Sequence, residues 1–342
     1  VSALSGGKKN IVISVDLMGG DHAPEVPLKA VAEILHDHQD VEILAFGLED
    51  KTAEALKRIN IQSQRFSFIP SKTSVASEEK PSVALRKHKH TTMSDAILAV
   101  ATNKASAVVS AGNTGAFMAI ALHLLKVLDG IDRPAVLALI PTEHGKACLL
   151  DVGANATCQP HNLKDFAYLG SKFAQILLQK QIPMVGLLNI GTESNKGNDL
   201  IQKTHALLQD SALHYIGFVE ANTLLHGSTD VIITDGFTGN VALKAMEGAG
   251  RFCINVLKEV GSKSLLAKLC LLMLKIFGTS AMRNLDPCTY NGGMLIGLNG
   301  IAIKSHGAAN VKAFKSSVNH AIQLVKSDVM TQLKNMDNKS DD

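Results

Sequence analysis

Side chains able to bind an anion or move a proton cluster at points where an apolar run gives way to a loop. In Ser110 to Gly115, SAGNTG, the polar side chains Ser110, Asn113 and Thr114 alternate with Gly112 and Gly115 ahead of a helical pattern. Backbone N–H groups of such a loop, together with a helix N-terminus, can hold an anion. Asp235 to Asn240, DGFTGN, repeats the logic with a carboxylate, the Thr238 hydroxyl, Gly239 and the Asn240 amide, and Lys244 follows one helical turn later on the same face. Ser305, His306 and Gly307 come directly after the apolar run Ile301 to Lys304. A histidine at a strand end beside serine and glycine suits proton transfer or charge stabilisation. Ile11 to Pro24, IVISVDLMGGDHAP, ends a β-branched run in Asp16, Gly19, Gly20, Asp21 and His22. The paired glycines let the backbone bend and approach a ligand closely, and Asp21 can cap the helix that Pro24 announces. Each motif also has a plainer use. Asn113 or Thr114 can simply cap a helix, Lys244 can be a solvated lysine, and His22 can fasten the Gly19-Gly20 turn. The loops match neither G-x-x-x-x-G-K-[ST] nor G-x-G-x-x-G, which weighs against nucleoside triphosphates and dinucleotides.

The elements that position these loops follow one scheme. Ala107 to Ser110 leads through SAGNTG into a helix from Ala116 to Leu128, and Cys148 to Leu150 leads through Asp-Val-Gly-Ala-Asn into a helix from Asn162 to Lys180. Val185 to Ile190 leads through Gly-Thr-Glu-Ser-Asn-Lys-Gly into a helix at Asp199 to Gln209, and Val231 to Thr234 leads through DGFTGN into a helix through Met246 to Val260. Further strands are expected at Val41 to Phe46, Phe66 to Ile69, Val136 to Ile140, Tyr215 to Val219 and Gly300 to Lys304. Strand, loop and helix alternate, so the expected fold is α/β with a mostly parallel sheet. Ligands of open α/β sheets collect beyond the carboxyl ends of the strands, so these loops are expected to face one cleft. Val311, Phe314, Val318, Ile322, Val325 and Val329 make the last helix amphipathic. The expected organisation is one domain over 10–334, with flexible tails at 1–9 and 335–342.

Composition narrows the function classes. With 342 residues, 46% hydrophobic and 19% charged, the chain is globular. Aromatic residues make up only 4%, without tryptophan, and the formal charge is +3, a poor basis for nucleic-acid binding. The five cysteines, Cys148, Cys158, Cys253, Cys270 and Cys288, form no CxxC pair, which favours a reduced compartment and no metal site. Val1 to Asn10 lacks the features of a secretion signal. Leu265 to Phe277, interrupted by Lys268 and Lys275, is shorter than the roughly 20 apolar residues that span a bilayer. Its broad apolar face suits a dimer helix or contact with a membrane surface.

In order along the chain, VDLMGGDHAP, SAGNTG, DVGAN, LLNIGTESNKG (Leu187 to Gly197), DGFTGNVALK and NGIAIKSHG (Asn299 to Gly307) resemble the bacterial phosphate acyltransferases of phospholipid synthesis, the PlsX family. The resemblance runs from about Ile11 to Asn310. It implies a three-layer α/β/α fold like that of isocitrate and isopropylmalate dehydrogenases, shared with phosphotransacetylases, in two closely joined lobes with a cleft between them. It also implies a cytoplasmic homodimer, peripheral at the membrane, that moves an acyl group from acyl carrier protein to inorganic phosphate without a cofactor. The acyl phosphate then serves glycerol-3-phosphate acyltransferase, itself a potential partner. DGFTGN resembles the Asp-x-x-Ser-Gly-Asn loop of phosphotransacetylases, and Ser305-His306-Gly307 their Ser-Arg-Gly. Histidine is no permanent bidentate phosphate clamp, but it can donate a proton. Leu17, Ala221 and Gly293-Met294 depart from the family pattern, where alanine, glycine and Ala-Pro are usual.

On this reading phosphate is bound by Ser110, Gly112, Asn113 and Thr114, with Gly19, Gly20, Asp21, Asn155, Lys196, Asp235, Thr238, Gly239 and Lys244 lining the substrate site. Ser305 and Asn240 are the oxyanion donors, His306 is the leading proton donor, and His22 is the second histidine. Since carboxylates repel phosphate, Asp16, Asp21, Asp151 and Asp235 read mostly as orienters of other groups or as helix caps. The basic run Arg86, Lys87, His88, Lys89 offers a surface to an acidic carrier protein. Two alternatives remain: a phosphotransacylase using coenzyme A thioesters, and a membrane-associated scaffold without turnover.

Overall fold

The computed structural model describes residues 10–87, 89–263, 269, 273 and 291–335. Cys270, Cys288, His88 and, apart from Leu269 and Met273, the amphipathic segment Ser264 to Phe277 lie outside the described residues. In chain order the elements are β1 (Ile11–Asp16), α1 (Glu25–Asp37), β2 (Val41–Gly47), α2 (Glu49–Ile59), β3 (Phe66–Pro70), α3 (Pro81–Arg86), α4 (Thr92–Ala101), β4 (Ala107–Ser110) and α5 (Thr114–Leu125). They continue with β5 (Ala135–Thr142), β6 (Gly145–Leu150), α6 (Pro160–Leu177), β7 (Val185–Asn189), α7 (Asp199–Gln209), β8 (Tyr215–Glu220), β9 (Val231–Ile233) and α8 (Gly236–Ser262). The last are β10 (Gly293–Ile296), β11 (Ile301–Lys304), α9 (Val311–Lys326) and α10 (Val329–Lys334). The chain divides into two compact units, Val1–Gly130 with Gly292–Asp342, and Ile131–Asn291.

In the first unit the strands run in the order β3-β2-β1-β4-β11-β10. All are parallel except β10, which pairs antiparallel with β11. Ile13, Val15, Val108, Val109, Ala302 and Ile303 are buried, as expected of strands covered on both faces. Helices α1 and α9 pack together, as do α4 and α5, and α4 and α9 both pack on the sheet. From β1 the chain moves outward through β2 to β3, whereas β4 lies on the other side of β1. This reversal opens a crevice at the carboxyl ends of β1 and β4, the place where open α/β sheets bind ligands. Asp16 and Ser110 are the last residues of those two strands.

The second unit orders its strands β5-β6-β9-β7-β8. β6, β9, β7 and β8 are parallel, while β5 and β6 form an antiparallel hairpin closing at Thr142 opposite Gly145. The hairpin and β10 add antiparallel pairs to the mostly parallel sheet read from the sequence. The expected last helix is two helices, because Asp328 takes a left-handed φ of 51° between α9 and α10. No helix among the described residues is long and apolar enough to cross a membrane.

Candidate active site

Three loops of the first unit interlock at the β1/β4 reversal. The Ser305 N–H donates to the Ser110 carbonyl at 2.9 Å, joining the ends of β11 and β4. Ser110 Oγ–H donates to Asp16 Oδ2 at 2.7 Å, and the same Oγ accepts the Gly112 N–H at 3.0 Å. Asp16 Oδ1 accepts the Met18 N–H at 3.1 Å. Both side chains are sealed from solvent, Ser110 at 0% and Asp16 at 1% exposure. Burial therefore pushes the Asp16 carboxyl above the usual range, and the Ser110 hydrogen bond opposes that rise.

The Gly19-Gly20 turn fits into this junction. A Cβ on Gly19 would lie 2.5 Å from the Gly112 nitrogen and 3.0 Å from Asp16 Oδ2. Gly20 has φ +95°, and the next N–H, of Asp21, donates to the Gly307 carbonyl at 2.9 Å. The turn thus bridges the loops after β4 and β11. Ala308 N–H donates to His306 Nδ1 at 3.3 Å. A neutral His306 ring then carries its proton on Nε2. His22 is exposed, and its carbonyl accepts the Val26 N–H at 3.1 Å.

Some sequence-based donors are committed elsewhere. Asn113 Oδ1 caps α5 by accepting the Ala116 N–H at 2.9 Å, and its Nδ2 donates to the carbonyls of Ser77 at 2.7 Å and Glu79 at 3.0 Å. Asn113 therefore takes the plainer capping role, and Ser110 spends its hydrogen on Asp16. Thr114 is exposed, and the N–H groups of Thr114 and Gly115 belong to the first turn of α5, which has no intrahelical acceptor. Asp21 does not cap α1. That helix starts at Glu25 with Pro24 at the cap position and no side-chain cap, so Asp21 lies too far upstream.

A second cluster lies wholly in the other unit. Asp151 is buried, and its Oδ1 accepts N–H groups of Val136 at 2.9 Å, Gly153 at 3.0 Å and Ala154 at 2.9 Å. Its Oδ2 accepts the Asn155 N–H at 2.7 Å and Nδ2 at 2.9 Å. Desolvation raises this carboxyl while the hydrogen bonds pull it back. Asn155 Nδ2 also donates to the Pro134 carbonyl at 2.8 Å, so its amide is a loop fastener rather than an outward donor. Asp235 caps α8, accepting N–H groups of Phe237 at 3.0 Å and Thr238 at 2.9 Å, and the Thr238 hydroxyl at 2.7 Å. The sequence-based reading of Thr238 as a substrate donor thus meets a hydroxyl already engaged. Gly239 lies against the Asp151 carbonyl with no room for a Cβ. Asn240 is exposed at the head of α8 beside Gly153. Lys244 pairs with Glu247 at 2.9 Å. Lys196 is exposed in the loop after β7, where Asn189 Nδ2 donates to its carbonyl at 3.1 Å.

The structure thus gathers Gly19, Gly20, Asp21, Ser110, Gly112, Ser305 and His306 in one unit and Asn155, Asp235, Thr238, Gly239 and Asn240 in the other. The sequence did not reveal Met93, whose side chain closes the space beside Gly112, because nothing in α4 marks it as part of the site.

The chain matches the family described as "Fatty acid synthesis protein" over residues 11–332. It is 42% identical over 324 residues to a phosphate acyltransferase of Legionella pneumophila (strain Paris), covering 94% of this chain and 95% of the relative. It is also 42% identical over 339 residues to a phosphate acyltransferase of Coxiella burnetii (strain Dugway 5J108-111), covering 96% and 99%. Among solved structures, a phosphotransacetylase from Streptococcus pyogenes aligns with TM-score 0.61 at 15% identity, covering 93% of this chain and 95% of that one. The EutD phosphotransacetylase from Staphylococcus aureus aligns with TM-score 0.59 at 17% identity, covering 93% and 96%. The structural likenesses establish a shared α/β fold, and the sequence matches span nearly the whole chain: it belongs to the fatty acid synthesis protein family of acyltransferases.

Proposed function

We propose that the chain transfers a fatty acyl group from acyl carrier protein to inorganic phosphate, giving acyl phosphate and the free carrier thiol. The observation that carries this reading is the junction at the β1/β4 reversal, which presents the Thr114 and Gly115 N–H groups of α5 to an anion while Ser305 and His306 stand at the neighbouring strand end. Phosphate near neutral pH is largely dianionic, its second ionisation lying at about 6 like that of a phosphorylated side chain. It needs positioning rather than a base. One phosphate oxygen attacks the thioester carbonyl from about 3 to 3.5 Å. The C–O bond forms, the carbonyl oxygen gains charge, and the C–S bond then breaks. In this proposal Ser305 supplies an oxyanion donor, and His306 Nε2–H meets the departing thiolate. No covalent enzyme intermediate is required.

The choice of donor is tested by comparing matched long-chain thioesters of acyl carrier protein and coenzyme A. Carrier protein is expected to be the better donor, and R86E/K87E is expected to erase that preference while leaving coenzyme A use unchanged, because Arg86 and Lys87 are exposed and basic. Equal or better use of coenzyme A by the parent protein would instead favour the coenzyme A phosphotransacylase.

We also infer a homodimer. Val241, Ala245, Ala249, Phe252, Val256 and Val260 recur at helical spacing along α8, and Val241, Phe252, Val256 and Val260 remain 56%, 69%, 41% and 49% exposed. A stripe of this kind fits its own copy in a two-fold, self-complementary contact. Phe252→Glu should therefore convert the dimer to a monomer in light scattering, and an unchanged dimer would exclude this face.

A further inference from the structure

Asp16 poses a chemical problem: a carboxylate sealed at 1% exposure, at the loop assigned to a dianion that it would repel. Its contacts supply an answer. The hydrogen bonds form a directed chain in which Gly112 N–H donates to Ser110 Oγ, and Ser110 Oγ–H donates to Asp16 Oδ2. As a carboxylate, the form that its Ser110 and Met18 hydrogen bonds favour, Asp16 only accepts, so Ser110 points its hydrogen inward and offers a lone pair to the loop. Gly112 N–H is thereby turned in, and the chain leaves for α5 with Asn113 as the cap. Met18 N–H occupies the other carboxylate oxygen, which fixes the orientation of the group. Gly19 packs against both Gly112 and Asp16, so the alignment reaches the β1 loop as well.

Resting on the assignment of phosphate to the β4–α5 loop, we propose that Asp16 is a positioning residue for phosphate: through Ser110 it sets the course of the backbone that presents the Thr114 and Gly115 N–H groups. Ser110 is then a relay rather than a ligand of phosphate. Asp16→Asn is nearly isosteric but breaks the direction of the chain. With its oxygen kept on Met18 N–H, the amide NH2 faces Ser110, and the hydroxyl hydrogen must find another acceptor.

The test measures kcat and KM for phosphate and for the acyl donor in Asp16→Asn, Ser110→Ala, their double variant and Thr114→Pro. The last deletes a phosphate donor where proline is tolerated, the first helical position, after an Asn113 whose φ of −52° and ψ of 121° suit a residue before proline. Each single variant should raise the phosphate KM by about tenfold, the scale of one lost hydrogen bond to a charged group. The acyl-donor KM should hold, kcat should move far less, and the double variant should be no worse than either single. A normal phosphate KM in Asp16→Asn beside a raised one in Thr114→Pro overturns the positioning role and leaves the phosphate loop standing. Effects of Asp16→Asn and Ser110→Ala that multiply also overturn it, since Asp16 would then not act through Ser110. A normal phosphate KM in Thr114→Pro overturns the loop assignment itself. If Asp16→Asn does not fold, Ser110→Ala carries the test, and a normal phosphate KM there overturns the relay.

Discussion

Turnover of His306→Ala is expected to fall by about 10²-fold or more at saturating substrates, the usual scale for losing a group that transfers a proton or stabilises charge in the transition state. His306 follows β11 at the loop junction, and the Ala308 N–H on Nδ1 selects the ring form that carries its proton on Nε2. In the proposed mechanism that proton passes to the departing thiolate. Since the ring is exposed, its removal leaves no cavity, and the variant should unfold at the same denaturant concentration as the parent. An effect confined to the transition state lowers kcat and kcat/KM together and leaves substrate KM values near normal. Steady-state kinetics beside a denaturation curve provide the check. Near-normal turnover in a folded His306→Ala protein would remove the histidine from the chemistry.

Gly239→Ala is expected to produce the largest loss of stability among single changes at these loops. The head of α8 approaches the loop after β6 so closely that a Cβ at 239 would overlap the Asp151 carbonyl and crowd the Thr234 side chain. Neither backbone can give way easily. Asp235 caps α8, and Asp151 is held by surrounding N–H groups from Val136 to Asn155. Overpacking of this kind costs about 1–3 kcal/mol, and the displaced helix would move Asn240 with it. Urea denaturation should show an earlier midpoint, and turnover should fall in parallel. An unchanged midpoint would mean that the α8 head and the Asp151 loop are not in this close contact.

Much of the fold was legible because β1, β4, β9 and β11 are short apolar runs ending in polar glycine-rich loops, a pattern that follows directly from burial on both faces. The antiparallel hairpin of β5 and β6 was not, since both its strands look like any other apolar run and only the pairing distinguishes them. The loops themselves were legible as a set, through the order of their motifs. The work of individual side chains was not. Ser110 and Asn113 look like outward donors in SAGNTG, yet the partner of Ser110 is Asp16, 94 positions away, and those of Asn113 are the carbonyls of Ser77 and Glu79, 36 and 34 positions away. Asp21 looked like a helix cap because Pro24 follows it, while the helix begins only at Glu25. Asp235, read from the sequence both as lining the substrate site and as an orienter or helix cap, caps α8 through the N–H groups of Phe237 and Thr238, which lie close to it in sequence.

The central claim is that phosphate itself accepts the acyl group. Long-chain acyl carrier protein is incubated with the enzyme, and free thiol and acyl phosphate are measured in the same samples as phosphate is varied. The account predicts that both products appear at equal rates, saturate with phosphate and vanish without it. Thiol release that persists without phosphate, or that yields free fatty acid in place of acyl phosphate, would contradict it.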